Sequence, residues 1–311
     1  MEVDQYVEGN ILFIEKNQLK TINQETKIVE VIVGSTSRGY RDGSGSGQEA
    51  PQFSNPKSFL QYNRTTVFIV DTWNFCVRAV SRLTNSTSSV AGVCTNKSFA
   101  DGPFSAAKFS YVFDVVTLPA DFGSAIIVAD YENRKMRKLD MKLEQVTTMT
   151  ELHESPVGLT LTPDQDAVIY THYPGGIGML NLSTRTAQRL INEYTYGYID
   201  GPLPASRFNL HTYSPMFLSK TVMMIADTEN GAIRLVDFTN FSVTSICAKA
   251  ENLLSTRSGD VSRCRLFSPY SLLPLPQQDR ILVGSYSLGY VSVTGWCDVA
   301  FQYRYGCIGR L

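Results

Sequence analysis

Val67-Phe68-Ile69-Val70-Asp71-Thr72-Trp73-Asn74-Phe75-Cys76-Val77-Arg78 is a phrase that this chain writes three times. It returns as Ala125-Ile126-Ile127-Val128-Ala129-Asp130-Tyr131-Glu132-Asn133-Arg134-Lys135-Met136-Arg137 and as Val222-Met223-Met224-Ile225-Ala226-Asp227-Thr228-Glu229-Asn230-Gly231-Ala232-Ile233-Arg234. Each copy is an apolar strand, then Asp-x-x-Asn, then an apolar residue followed by Arg. A unit of this size cannot bury its apolar face alone, so repetition implies units stacked on one another. The repeated polar residues are therefore expected to build the fold rather than to perform chemistry.

A second phrase precedes each copy. It reads Asp42-Gly43 before Phe53, Asp101-Gly102 before Phe109, Asp200-Gly201 before Phe208 and, inverted, Gly259-Asp260 before Phe267. The Asp positions lie 59, 99 and 60 residues apart, so a unit without the phrase falls in the long gap. Ser155-Pro156-Val157-Gly158-Leu159 followed by Ala167-Val168-Ile169-Tyr170 fits it. Ile11–Ile14 and Lys27–Gly34 read as later strands of an amino-terminal unit, and Ile281-Leu282-Val283-Gly284 as a sixth core strand. The apolar runs are short, rich in Val, Ile and Phe, and bounded by Gly, Pro, Asn and Asp, with no long 3.6-residue period. This predicts an all-β chain: a six-bladed β-propeller of four-stranded antiparallel blades. With 311 residues, 43% hydrophobic and 18% charged, the chain can bury a real core. No linker or charge run divides it, so residues 1–311 are expected to form a single domain.

Asp-Gly, Phe, strand, Asp-x-x-Asn, apolar-Arg resembles the NHL repeat. Three copies are clear, around 42–94, 101–149 and 200–247, and three more are degenerate. The resemblance implies the propeller fold but does not choose a function, because NHL propellers include lyases, RNA binders and adhesive ectodomains. The repeated residues have structural roles open to them. Asp71, Asp130 and Asp227 can accept backbone N–H bonds in the turn. Asn74, Asn133 and Asn230 can take left-handed backbone angles. Arg78, Arg137 and Arg234 can fork onto an Asp of the same or a neighbouring blade.

The six cysteines, Cys76, Cys94, Cys247, Cys264, Cys297 and Cys307, include no CxxC pair, and an even count points to disulfides. Cys76 opens a third strand and Cys94 ends a fourth. Their index sum, 170, centres the hairpin on residue 85, inside Thr84-Asn85-Ser86-Thr87, so the two are expected to face each other. Cys297 and Cys307 flank a short segment, and Cys247–Cys264 follows by elimination. Asn-x-Ser/Thr sequons stand at Asn63, Asn85, Asn96, Asn181 and Asn240. With the cysteines they point to the secretory pathway and an extracellular or cell-surface chain. Met1-Glu2-Val3-Asp4-Gln5 does not read as a leader, so the expectation is either that a leader and anchor lie outside this sequence or that the chain does not enter the secretory pathway. There is no run of eighteen apolar residues to insert into a membrane.

In a four-stranded meander the 1–2 and 3–4 turns lie at one end, and the 2–3 turns and 4–1 connections at the other. Asn63, Asn85, Asn181 and Asn240 fall at the first end. Trp73, Tyr131, Tyr40, Arg41, Phe99 and Tyr198 fall at the second. Aromatic residues and Arg on a face poor in glycans match the composition of protein-binding hot spots. The candidate ligand residues are therefore Tyr40, Arg41, Trp73, Tyr131 and Tyr198. Tyr40, Phe99 and Tyr198 can alternatively pack inward beside the Asp-Gly turns.

Some NHL-like propellers are peptide-amidating lyases whose channel metal is held by three histidines from different blades. This chain has three histidines, His153, His172 and His211, and the first two share a predicted blade. Asp114 is the one obvious channel carboxylate, too few for calcium. No G-x-S-x-G, H-E-x-x-H or P-loop occurs. Lys+Arg of 28 against Asp+Glu of 29 gives a formal charge of −1, without the basic footprint that nucleic acid requires. No cofactor or metal site is expected. The reading is a non-enzymatic recognition module, a receptor or adhesion-type ectodomain that binds a protein or other macromolecule at the cell surface. The rival reading is a channel-metal lyase or hydrolase.

Overall fold

The computed structural model describes residues 1–44, 50–191, 196–249, 259–260, 265–266, 268–275, 280–287 and 290–298. Among them every regular element is a strand or a three-residue 3-10 turn. Five four-stranded meanders follow one another along the chain. The first is Glu2–Val3, Asn10–Glu15, Gln18–Asn23 and Val29–Gly34. The second is Ser58–Asn63, Thr66–Asp71, Cys76–Ser81 and Ser86–Ala91, and the third is Val112–Thr117, Ala125–Asp130, Lys135–Asp140 and Gln145–Glu151. Ser155–Leu161, Ala167–Tyr173, Gly176–Asn181 and Ala187–Arg189 make the fourth, and Thr212–Phe217, Val222–Asp227, Ala232–Asp237 and Ser242–Lys249 the fifth.

The expectation of six such blades is corrected to five complete ones among the described residues. The sixth sheet has three antiparallel strands, Pro269–Leu275, Arg280–Ser287 and Tyr290–Asp298. Its remaining strand is Gly259–Asp260, which runs parallel to Tyr290–Asp298. The three Asp-Gly phrases behave differently. Gly43–Ser44, Gly102–Pro103 and Gly201–Pro202 each pair antiparallel to the outermost strand of their own sheet. The inverted order of Gly259-Asp260 goes with this reversed direction. At the other end, Glu2–Val3 supplies a first strand, so the amino-terminal unit is a meander in its own right.

The chain divides into two compact units. Residues 1–161, 165–168 and 180–187 form the first, and residues 162–164, 169–179 and 188–311 the second. In the first unit, the second strands of the second and third meanders are buried along their whole length or nearly so, and alternate residues serve different clusters. Val67 and Ile69 pack with Leu12, Leu19 and Phe53, whereas Phe68 and Val70 pack with Val112, Ile126 and Val128. A strand covered on both faces reads as a continuous apolar run, which is why these segments dominate the sequence. In the second unit, Met223 and Ile225 pack with Ile169 and Phe208, and Met224 and Ala226 with Leu272 and Ile281.

The repeated polar residues form one box, built three times. Arg78, Arg137 and Arg234 are completely buried. The Nη1 of Arg78 donates to Asp71 at 2.9 Å and its Nη2 to Asp42 at 2.5 Å, with further bonds to the carbonyls of Gln52 and Arg41. Arg137 contacts Asp130 and Asp101, each at 2.7 Å, and Arg234 contacts Asp227 and Asp200 at the same distances. The second oxygen of Asp42, Asp101 and Asp200 accepts the amide of Ser89, Thr148 and Ser245 on the fourth strand. One guanidinium thus ties together the second and third strands and the Asp-Gly turn, and the turn's aspartate ties in the fourth. The turn glycines require left-handed φ, +143° at Gly43, +136° at Gly102 and +122° at Gly201, which few side chains tolerate.

Two expected roles change. Asp71, Asp130 and Asp227 take their backbone N–H not within the turn but from across it, from Ser54, Ser110 and Asn209. The left-handed residue is the one after each Asn, namely Phe75, Arg134 and Gly231. Asn74, Asn133 and Asn230 act through their side chains instead. Each Nδ2 donates to the box Asp and to a carbonyl of the preceding connection, that of Gly39, Ser98 or Gly197.

The fourth meander has no such box. The third residue of its third strand, the place of the Arg, is Gly178, and a Cβ there would lie 2.2 Å from the ring of Tyr170. A Cβ at Gly176 would lie 2.3 Å from the ring of His172. Two glycines therefore open space for two buried rings, so His172 is a core residue rather than a solvated loop histidine.

Candidate ligand-binding face

In each unit the 2–3 turns and 4–1 connections carry aromatic side chains, joined in the first by cationic ones. In the first unit, Trp73 stands in the turn Thr72–Asn74 and is 44% exposed. Its amide is held by the Ser54 carbonyl at 3.0 Å, and the Arg38 guanidinium lies 4.6 Å from its ring centre. Lys57 joins this end of the sheet. Burial, then the charge of Arg38, brings its ammonium down to about 8. Tyr131 packs on Phe113 with ring centres 4.6 Å apart. Phe75 meets Tyr111 at 5.2 Å, and Lys97 lies over the Tyr111 ring at 4.4 Å while pairing with Glu132 at 2.5 Å.

The other expected ligand residues are committed to the fold. Tyr40, Phe99 and Tyr198 lie over the box guanidinia of Arg78, Arg137 and Arg234 at 5.0, 4.8 and 4.9 Å. Phe53, Phe109 and Phe208 lie against the same guanidinia at 5.1, 5.0 and 4.6 Å. Each arginine is thus held by two rings, a buried one and a lid that is 41–45% exposed. The Tyr40 hydroxyl also bonds Ser89 at 2.9 Å. Arg41 is held by the Ala50 carbonyl, through Nε at 3.0 Å and Nη2 at 2.8 Å.

In the second unit, sequence reasoning missed a chain of rings. Tyr173 and His211 are 5.1 Å apart, His211 and Tyr213 6.0 Å, and Tyr213 and Tyr270 4.1 Å. Glu229 Oε1 lies 2.8 Å from His211 Nδ1. Alignment on the first strands offers a signal, because Tyr111-Val112-Phe113 and His211-Thr212-Tyr213 enter Val112–Thr117 and Thr212–Phe217 in the same register, although His211 stands one residue further from Phe208 than Tyr111 does from Phe109.

The sequons occupy the expected connections. Asn63 ends a first strand, Asn85 and Asn240 lie between third and fourth strands, Asn181 ends a third strand, and Asn96 follows a fourth. Cys76 and Cys94 form a disulfide with Cα atoms 5.1 Å apart. The register that suggested it differs, however. The ladder pairs Val77 with Ala91 and Arg78 with Ser89 across a bulge, and Cys94 lies beyond the strand end. Gly92, at φ +98°, turns the chain back towards Cys76. Cys264 and Cys307 lie outside the described residues, as do the side chains of Cys247 and Cys297.

Asp114 sits in the first strand of the third meander. It accepts the amides of Leu159 at 2.7 Å and Val115 at 2.9 Å, and a bond from Ser58, joining three consecutive first strands. Burial pushes its carboxyl up to about 6 against these bonds, and Glu2 adds to the rise. The folded state therefore favours the protonated acid. The stability this contributes is full below 3.8 and is lost as the pH rises through about 6. Thermal melts across that window should show the loss in the parent and a flatter profile in Asp114→Asn. Equal profiles would refute this assignment. Among the described residues, no three His, Cys, Asp or Glu are grouped to hold a metal ion, and no helix is long and apolar enough to cross a membrane.

No protein-family model matches the chain, and no curated protein matches it in sequence. Solved structures do resemble it. An auxiliary nutrient binding protein from Bacteroides thetaiotaomicron superposes with a TM-score of 0.68 at 11% identity, over 93% of this chain and 67% of that one. A chain of a nidogen/laminin complex gives 0.58 at 8% identity over 91% of both. Virginiamycin B lyase from Staphylococcus aureus gives 0.53 at 12% identity, over 93% of this chain and 78% of that one. The fold is a β-propeller.

Proposed function

We propose that the chain is an extracellular recognition module, of the kind found in receptor or adhesion ectodomains. It binds a protein or other macromolecule through the face of 2–3 turns and 4–1 connections. In this reading residues 1–311 form one domain, an NHL-type propeller. Glycans on Asn63, Asn85, Asn181 and Asn240 shield the opposite ends of the sheets, and Cys247–Cys264 and Cys297–Cys307 are further bridges. The observation that carries it is Trp73. A large aromatic ring, nearly half exposed in a turn and stacked by Arg38, has the make-up of an interface anchor. The Cys76–Cys94 disulfide supports an oxidising compartment. The nutrient-binding protein and the extracellular domain of a one-component system among the similar folds support a binding role.

Because Tyr40, Tyr198 and Arg41 are tied to the boxes and to Ala50, and Tyr131 is half-buried and packs on Phe113, Trp73 is the residue that presents itself to a partner. After a cell-surface binding screen has identified a partner, Trp73→Ala should weaken its binding by about 2 kcal/mol while leaving the melting temperature unchanged. Unaltered affinity in a folded Trp73→Ala protein would reject this face.

A further inference from the structure

We propose that the outer edge of Val29–Gly34, in the first meander, receives an extended Asp-Gly segment of a partner polypeptide, which adds to the sheet as a fifth strand. The inference goes beyond the reading of Trp73 and does not depend on it. Among the described residues no strand pairs with that edge. In the second, third and fifth meanders the same edge is covered by the Asp-Gly strand, whose glycine pairs with Thr87, Val146 or Val243. These three residues are 6%, 0% and 0% exposed. The ladders put Val29 at the same position, because it pairs with Ile22 as Thr87 does with Val80. Val29 is 49% exposed, and Ile28 and Val31 near it are 58% and 39% exposed. An apolar edge left open in this way is a template for another strand.

The first meander also holds half of a box. Glu15 ends its second strand, as Asp71 does, and Lys20 is the third residue of its third strand, the place of Arg78. The register shifts at the same point, between Leu19 and Lys20. Lys20 Nζ pairs with Glu15 at 2.5 Å, and the Lys20 side chain is 14% exposed, whereas that of Arg78 is fully buried. Val31 pairs with Lys20 as Ser89 pairs with Arg78, and the amide of Ser89 donates to Asp42. What the three boxes have in addition is the turn aspartate and the glycine strand after it. One oxygen of the incoming aspartate accepts from the Lys20 ammonium and the other from the Val31 amide, while the glycine pairs with Val29. Main-chain bonds along the edge supply affinity, and the carboxylate fixes the register. Asp-Gly occurs three times in this sequence and each copy is paired within its own sheet, so a second folded copy has none to offer. The fourth meander has Gly178 in place of the cation, so its outer strand has nothing to select an aspartate.

The probe is a labelled peptide with the sequence of residues 196–203, Tyr196-Gly197-Tyr198-Ile199-Asp200-Gly201-Pro202-Leu203, titrated with the purified protein by fluorescence anisotropy. The parent is expected to bind it, and to bind the Asp200→Ala peptide about tenfold more weakly, the scale of one charge-assisted bond. In the protein, Lys20→Met should cause a similar loss and Lys20→Arg should retain binding. Val31→Pro removes the amide from an edge strand, where proline is tolerated, and should also weaken binding, which keeps the test open if Lys20→Met does not fold. The inference is overturned if the parent does not bind the peptide, if the Asp200→Ala peptide binds equally well, or if folded Lys20→Met and Val31→Pro proteins bind as the parent does. Self-association of the parent that Val29→Lys abolishes would assign the edge to a second copy and overturn it as well.

Discussion

Arg137→Ala is expected to destabilise the protein by about 3–5 kcal/mol, because it breaks a buried ion pair and leaves the partner charge behind. Arg137 and Asp130 are both fully buried. Deleting the guanidinium removes the Asp130 contact and the bond to Asp101, together with donors to the carbonyls of Lys108 and Ala100. It also leaves a void between Phe99 and Phe109. Arg137→Lys should rescue little, since one ammonium cannot reproduce a planar fork that reaches two carboxylates and two carbonyls. Asp101→Asn should cost less, because the Asp101 side chain is 40% exposed and water can replace part of what it loses. Urea unfolding of the four proteins measures the order. A midpoint for Arg137→Ala equal to that of the parent would remove the box from the account of stability.

Loss of the Cys76–Cys94 bridge is expected to cost about 3 kcal/mol, by restoring freedom to the unfolded chain. The bridge spans a sequence separation of 18 residues and encloses the whole 3–4 hairpin of the second meander. Cys76 is fully buried, so reductant should act slowly on the native protein and quickly once denaturant opens the blade. Cys94→Ser should melt below the parent under oxidising conditions and together with it in reductant. Non-reducing peptide maps that find both thiols free would contradict the bridge.

The box was legible because its parts recur at fixed offsets. Asp42, Asp101 and Asp200, the three Asp-x-x-Asn turns and the three arginines can be aligned by eye, and alignment alone assigns them to the fold. Three things were not legible. The lids at Tyr40, Phe99 and Tyr198 look like surface aromatics until the guanidinium beneath them is located. The fourth meander fills the place of its box with Tyr170 and His172, and the two glycines that permit this carry no signal as isolated letters. The chain of rings in the second unit takes one or two members from each of three sheets, so no local window contains it. The disulfide was found through a register that the bulge between Val77 and Arg78 shifts, and the pairing held because the bridge tolerates an offset that a ladder does not.

The lids have a consequence for how this surface can change. Each is both the outer wall of a buried charge and exposed to solvent. A substitution that retunes recognition at position 40, 99 or 198 therefore also uncovers an arginine. The box guanidinia lie beneath these lids and not beneath Trp73, Tyr131 or Glu229 of the 2–3 turns. A library that randomises those three positions and leaves the lids alone should yield new specificities at little loss of folded protein. One that randomises the lids should be dominated by variants that fail to fold. Adaptation of the face would then be channelled into the turns, with the aromatic residue before each Asp-Gly acting as a brake.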